Sequence, residues 1–382
     1  MKTGQVIIGA NYGDEGKGLL TDYFASADPD NSIVVRFNGG AQAGHTVVDP
    51  DGRRHVFSHF GSGSFVGCPT YLSKFFIVNP LLFAKEYDEL QALGVSPTVV
   101  IDSQALVTTP FDMFINQTIE RRRGSARHGS CGLGINETVT RCLRSSTFCT
   151  RTKDLLQSDK LLDHLLDLSK SWLPARLKEF KLDPQSDQVG KFAEKLEQIL
   201  CEYVHDIETL LGRATITNKY PRQKRVIFEG AQGLMLDEDR IDQFPHVTRS
   251  KTGLTNVLYL APRLELDKLN VTYVTRTYLT RHGAGPLAGE HDWSFDDRTN
   301  IPNQFQGCLR FAPLAPQTLQ HSINLDLSRA RLSYPAITAD IAITCLDQVA
   351  MPSPKDLFLP VKYLSDGPRR SNIKSAFTSS VR

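Results

Sequence analysis

With 382 residues, 40% of them hydrophobic and 23% charged, the chain is too apolar to be disordered and long enough for one large α/β domain or two ordinary ones. A formal net charge of +2 argues against a dedicated nucleic-acid or membrane-surface protein, and no stretch approaches the length of a bilayer span. Seven cysteines, an odd number with no C-x-x-C pair, lead us to expect neither a disulfide framework nor a zinc site, and a reducing cytoplasm as the compartment.

The first β-branched run, Val6-Ile7-Ile8, ends at Gly9. It predicts a buried strand feeding a glycine-rich turn and then a helix from about Gly18 to Ala25. Comparable runs follow at Ile33–Phe37, Thr98–Asp102, Arg225–Glu229, Val271–Val274 and Ile341–Thr344. Between residues 151 and 215 the pattern changes. Leu161, Leu165, Leu168 and Trp172 fall at helical spacing, as do Phe192, Leu196, Ile199, Tyr203, Ile207 and Leu210. These read as packing stripes of a helical subdomain, with Pro184 in its connecting loop. The expected architecture is a single α/β domain over 1–382: a mostly parallel central sheet with helices on both faces and a helical insert.

Four glycine-rich constellations carry the chemistry. Gly13-Asp14-Glu15-Gly16-Lys17-Gly18 lies between a predicted strand and a predicted helix, where free N–H groups and the helix dipole favour a phosphate and Lys17 adds a full charge. It is P-loop-like without being a Walker A loop, since Asn11 and Gly18 replace the first Gly and the Ser/Thr of that motif. A carboxylate beside a phosphate is repelled unless a metal or a proton transfer compensates, so Asp14 suits a Mg²⁺ ligand or a base. The second constellation, Asn38–Thr46, places His45 behind a strand-ending glycine loop, as a phosphate contact or an acid. The third, Phe228–Gly233, offers Gln232 to a base or ribose. The fourth, Gly129-Ser130-Cys131-Gly132-Leu133-Gly134, is another candidate anion turn. Arg121, Arg122, Arg123 and Arg127 before it read as a solvated helix face.

Taken in order, GDEGKG (13–18), GG-x-x-AGHT (39–46), FEGAQG (228–233), HVT-x-S (246–250) and R-x-GAGP (281–286) resemble the adenylosuccinate synthetase family. The resemblance runs from near the N-terminus to about Pro368. It implies a cytoplasmic, homodimeric ligase of purine biosynthesis that uses Mg²⁺ and GTP, phosphorylates O6 of IMP and displaces phosphate with aspartate. By resemblance, Asp14 takes the purine N1 proton and, with the Gly44 carbonyl, holds Mg²⁺, while His45 is the acid on the phosphoryl oxygen. Lys17 with Gly13, Glu15, Gly16, Gly18, Gly44 and Thr46 holds the phosphates. Gln42, Ser130, Cys131, Gln232 and Thr248 hold the purine nucleotide, and Arg144 or Arg141 crosses to the partner subunit. Thr344-Cys345-Leu346-Asp347 resembles the family's T-K-L-D motif, so Asp347 reads guanine, with Ser365 and Gly367 closing over the base.

The chain departs from the family at several of these positions. Gln42 replaces an Asn, Cys131 a Thr and Cys345 a Lys. The amino-acid loop, 303–310, keeps only Arg310 of the family's several arginines. Two variants of the reaction therefore stay open: dGMP with ATP, as in the phage-type relatives, or another amine donor. Asp14 weighs against the first, because that group typically has a smaller residue there. Nucleic acid and membrane are not expected partners.

Overall fold

The computed structural model describes residues 2–126, 128–183, 186–295, 297, 299–300, 307–330, 335–351 and 357–376. The predicted Pro184 loop position and the first half of the amino-acid loop, residues 303–306, lie outside the described residues.

Ten strands make the main sheet: β1 (Thr3–Gly9), β2 (Ser32–Arg36), β3 (Thr70–Leu72), β4 (Val99–Asp102), β5 (Ala214–Thr217), β6 (Arg225–Gly233), β7 (Lys268–Arg276), β8 (Ala336–Thr344), β9 (Val361–Ser365) and β10 (Ile373–Ser375). Their spatial order is β10-β9-β8-β7-β1-β6-β2-β3-β4-β5, and every pairing is parallel except β9 with β10. All six predicted strands are present, and the first predicted helix is Lys17–Ser26.

The central strands are apolar without alternation because both faces are covered. Ile7, Val34, Ile227 and Val274 pack under Leu19, Leu20 and Phe24 of the helix Lys17–Ser26. Their neighbours Val6, Ile8, Ile33 and Val35 point the other way, into a cluster with Leu254, Val257 and Leu260 of one helix and Leu319 and Ile323 of another. The helices of 158–213 bury Leu161, Leu165, Leu168, Trp172, Tyr203, Ile207 and Leu210, as the stripes predicted. Leu200, not Ile199, completes the buried face. These helices share one core with Phe83 and Leu90 of the helix Pro80–Ala92 and with Phe111 and Ile115 of the helix Pro110–Arg123.

The five free and two paired cysteines correct one expectation. Cys142 and Cys149 form a disulfide, Cα to Cα 4.2 Å, because the chain reverses after the helix Ile135–Arg144 and brings residues seven apart together. No helix among the described residues is long and apolar enough to cross a membrane.

Candidate active site

The carboxyl ends of β1, β2, β6, β7 and β8 converge on one edge of the sheet, which is where parallel α/β sheets place ligands. Residues after Gly9 fold back over the end of β1, and the helix Lys17–Ser26 starts at Gly16, whose φ of 95° is left-handed and cheap only for glycine. Gly9 is dictated by crowding: a Cβ there would stand 2.4 Å from Glu15 Oε2 and 2.9 Å from Lys17 Nζ. The helix start has no side-chain cap, so its first N–H groups suit an anion.

Glu15 meets the site through its backbone alone. Its buried carboxylate does not face the cavity. One oxygen accepts from the N–H of Asn11 at 3.0 Å and of Gly13 at 2.8 Å, and the other holds Lys17 Nζ at 2.8 Å. Glu15 therefore shapes the loop and neutralises its lysine, and only its backbone remains for phosphate.

Asp14 adopts φ 61°, uncommon for a residue with a Cβ. The conformation is over-determined from outside the loop. Arg276 Nε donates to the Asp14 carbonyl, Thr280 Oγ1 to the Gly13 carbonyl at 3.0 Å, and Thr344 Oγ1 to the Glu15 carbonyl at 2.9 Å. Asp14 Oδ2 lies 3.1 Å from His282 Nε2, which also meets Asn300 Oδ1 at 2.8 Å. Burial opposes ionisation of Asp14, but the His282 hydrogen bond and the charges of His282, Arg276 and Lys17 outweigh it and hold the carboxyl at about 2. The same contact raises the His282 imidazole against the opposing effect of burial.

His45 faces the same cavity from the second loop, and its Nδ1 lies 2.7 Å from Glu229 Oε1. Ser62 donates its hydroxyl to Glu229 Oε1 and its N–H to Oε2 at 3.1 Å, and Arg36 stands 3.9 Å from Oε2. Burial works against the Glu229 charge, but His45, Arg36 and Ser62 outweigh it and hold the carboxyl at about 2. An ionised carboxylate only accepts, so Nδ1 of His45 carries the proton and Nε2 is the reactive nitrogen. Burial lowers the imidazole's pKa, and Glu229 counters only part of that.

Both loops open on a cavity of about 1020 Å³ that also takes in Gly13, Gly16, Lys17, Gly18, Gly44 and Thr46. Gln42, Ser130, Cys131, Gln232, Thr248 and Arg144 line it as well. Both polar atoms of the Gln42 amide are buried without a hydrogen-bond partner, which leaves them for a ligand to satisfy. Of the two arginines near the fourth loop, Arg141 is fully buried and grips Asp112 at 2.9 and 2.7 Å, whereas Arg144 is exposed and paired with Glu179 at 2.6 Å. Asp347, Ser365 and Gly367 do not line this cavity. They lie in two adjoining turns, joined by Leu346 N–H to the Ser365 carbonyl at 3.2 Å, and within the second the Ser365 hydroxyl donates to the Gly367 carbonyl at 2.8 Å. Thr344, just before that turn, reaches Glu15, so the turns abut the phosphate loop.

Arg310 is placed differently from expectation. It is absent from the cavity lining, and its guanidinium is taken up by Glu290 at 2.7 Å and by the carbonyls of Gly283 at 3.0 Å and Gly285 at 2.6 Å. The reason is the antiparallel pairing of Leu309–Pro313 with Tyr278–His282, which turns Arg310 toward the back of the GAGP turn. Sequence reasoning missed Glu229, Arg36, Ser62, Arg276 and His282. Glu229 had a signal, an acid closing an apolar strand inside the quoted FEGAQG motif. His282 had none, since it fills the open position of R-x-GAGP.

No group of three or more His, Cys, Asp or Glu side chains able to hold a metal occurs among the described residues. The Asp14 carboxylate and Gly44 line one cavity, and such a sparse oxygen set, completed by phosphate oxygens and water, is what Mg²⁺ accepts.

The model of the adenylosuccinate synthetase family matches residues 6–305. The chain is 33% identical over 304 residues to the adenylosuccinate synthetase of Nostoc punctiforme, covering 75% of this chain and 62% of that protein. It is 33% identical over 309 residues to that of Prochlorococcus marinus, covering 77% and 65%. The chain thus spans under two thirds of the length of these curated relatives. Its fold is similar to that of fully ligated adenylosuccinate synthetase from Plasmodium falciparum, with a TM-score of 0.72 at 18% identity, covering 97% of this chain and 99% of that one. It is also similar to the succinoaminodeoxyadenylate synthetase of cyanophage S-2L, bound to dGMP and dATP, with a TM-score of 0.66 at 14% identity, covering 98% and 95%. The family match over residues 6–305 shows that the chain belongs to the adenylosuccinate synthetase family.

Proposed function

We propose that the chain is a carbon–nitrogen ligase that transfers the γ-phosphate of GTP to O6 of IMP and lets aspartate displace that phosphate, giving adenylosuccinate. The observation that carries this reading is the convergence of a carboxylate, Asp14, and an imidazole, His45, on one cavity beside a phosphate-type loop. A purine 6-oxo group leaves only once phosphorylated. Asp14 removes the N1 proton, which builds charge on O6. The N–H groups of 13–18 and Lys17 hold the donor phosphates in line. His45 begins neutral, with Nδ1–H on Glu229. The negative charge of a bound triphosphate favours a second proton on Nε2, and that proton serves the phosphoryl oxygen. The Asp14 carboxylate and the Gly44 carbonyl would hold Mg²⁺, which would supply charge neutralisation of the phosphates.

Gln42, Ser130, Cys131, Gln232 and Thr248 bind the purine nucleotide in this reading, and Asp347, Ser365 and Gly367 the donor base. A carboxylate at Asp347 pairs with guanine N1–H and N2–H₂ and meets only an acceptor at adenine N1, so GTP is the better donor than ATP. Leu143 and Phe244, large, apolar and exposed at the cavity lining, leave surface for a second copy, and in the homodimer of this reading Arg144 serves the neighbouring site. The compartment is the cytoplasm. The test is product mass and phosphate release with IMP, GTP and aspartate. Absence of a succinylated nucleotide would overturn the reading.

A second reading rests on Arg310. With its guanidinium committed to Glu290 and two carbonyls, a dicarboxylate finds no ready clamp there. The same phosphoryl transfer with another amine, glycine for example, is tested by varying the amine at saturating IMP and GTP. In the aspartate reading Arg310→Leu raises the aspartate KM and leaves nucleotide binding unchanged.

A further inference from the structure

The phosphate loop is short of positive charge. Asp14 and Glu15 are carboxylates, and Lys17, its one cation, is buried against Glu15 at 2.8 Å. Its side chains sum to one negative charge, which opposes a polyphosphate unless a cation outside the loop compensates. Arg276 is such a cation. It is the last residue of β7, whose end lies between the ends of β1 and β8. Its Nε donates to the Asp14 carbonyl and its Nη1 to the Tyr278 hydroxyl at 2.8 Å. No carboxylate side chain forms an ion pair with it among the described residues, and its Nη2 makes no hydrogen bond there. It lines the large cavity.

Arg276 is also tied to the turn that carries Asp347. Tyr278, which takes its Nη1, donates to Gln348 Oε1, and Thr277 Oγ1 donates to the Cys345 carbonyl at 3.2 Å. A nucleotide with its base at Asp347 and its terminal phosphates on residues 13–18 runs between these two places. We propose that Arg276 binds the polyphosphate of the donor nucleotide, supplying the charge that Glu15 removes from Lys17. A guanidinium whose Nη2 is unengaged suits phosphate oxygens in a way a point charge does not. Through the Asp14 carbonyl, the same side chain ties donor arrival to the placement of Asp14. The inference rests on the donor site of the proposed function.

The experiment uses calorimetry on the full chain with Mg²⁺, with inorganic tripolyphosphate, GTP and IMP as probes. Arg276→Gln is expected to weaken tripolyphosphate and GTP by roughly 30- to 100-fold, and Arg276→Lys by roughly tenfold or less. IMP affinity stays within about twofold, which also reports that the variants are folded. If Arg276→Gln binds tripolyphosphate as wild type does, the proposal fails, even if turnover falls, because Arg276 then only positions Asp14. If the wild type binds no tripolyphosphate or GTP, the donor-site reading itself fails, and the assignment of Arg276 with it.

Discussion

Two histidine–carboxylate pairs flank the cavity, and they are built the opposite way round. In one, the imidazole of His45 faces the cavity and the carboxylate of Glu229 stands behind it, buried and held by Ser62 and Arg36. In the other, the carboxylate of Asp14 faces the cavity and the imidazole of His282 stands beside it, partly open and shared with Asn300. The first pair is closed off from water, so its geometry is over-determined and its supporting charge is costly to remove. The second is partly open to solvent and can exchange partners, as the roles proposed for Asp14 require. In the proposed mechanism the same two chemical groups serve as an acid or as a base according to which of them faces the cavity.

The largest expected effects come from removing the front member of each pair. Asp14→Asn and His45→Ala should each lower kcat by about 10²- to 10⁴-fold while leaving the fold intact, measured as phosphate release with a circular dichroism control. Retention of near-wild-type turnover by either would break the assignment of that pair.

Removing the supporting member should separate the pairs. Glu229→Gln keeps an acceptor for Nδ1–H but loses the charge that stabilises an imidazolium. We expect about a 10²-fold loss in kcat with little change in nucleotide KM. His282→Asn should cost about tenfold or less. His282 helps hold Asp14 down at about 2, so its removal raises the Asp14 pKa and moves the acid limb of the pH–rate profile to higher pH. A His282 variant that loses as much activity as Glu229→Gln, with no movement of that limb, would erase the contrast.

The smallest effect concerns stability. Glu229 falls from 4.5 to about 2 on folding, so its contribution is present above pH 4.5 and is lost as pH falls toward 2. That contribution is about 3 kcal/mol at most by linkage. Urea unfolding between pH 6 and 3 should show wild type losing stability faster than Glu229→Gln. Parallel curves would mean that Glu229 is not an ionised, buried partner of His45.

Much of the fold was legible because parallel strands are buried on both faces and advertise themselves as unbroken apolar runs. Val6–Ile8, Ile33–Phe37 and Ile341–Thr344 each mark a strand whose carboxyl end borders the site. The glycine loops were legible for a similar reason, since close backbone approach admits little else, as at Gly9 and Gly16. The one-residue shift from Ile199 to Leu200 arose because helical periodicity alone does not set which of two adjacent apolar residues faces inward.

What the sequence by itself determined is the set of local, backbone-dictated features: strand, glycine turn, helix start, and the residue types Asp14, Lys17 and His45 within them. What only the tertiary structure decided is who stands behind each of them. Glu229 reaches His45 across 184 positions, Arg276 reaches Asp14 across 262, and Arg310 turns away from the cavity because of the strand it pairs with. Charge pairing of this kind depends on distance and burial, which sheet order sets and which no local pattern of residues records.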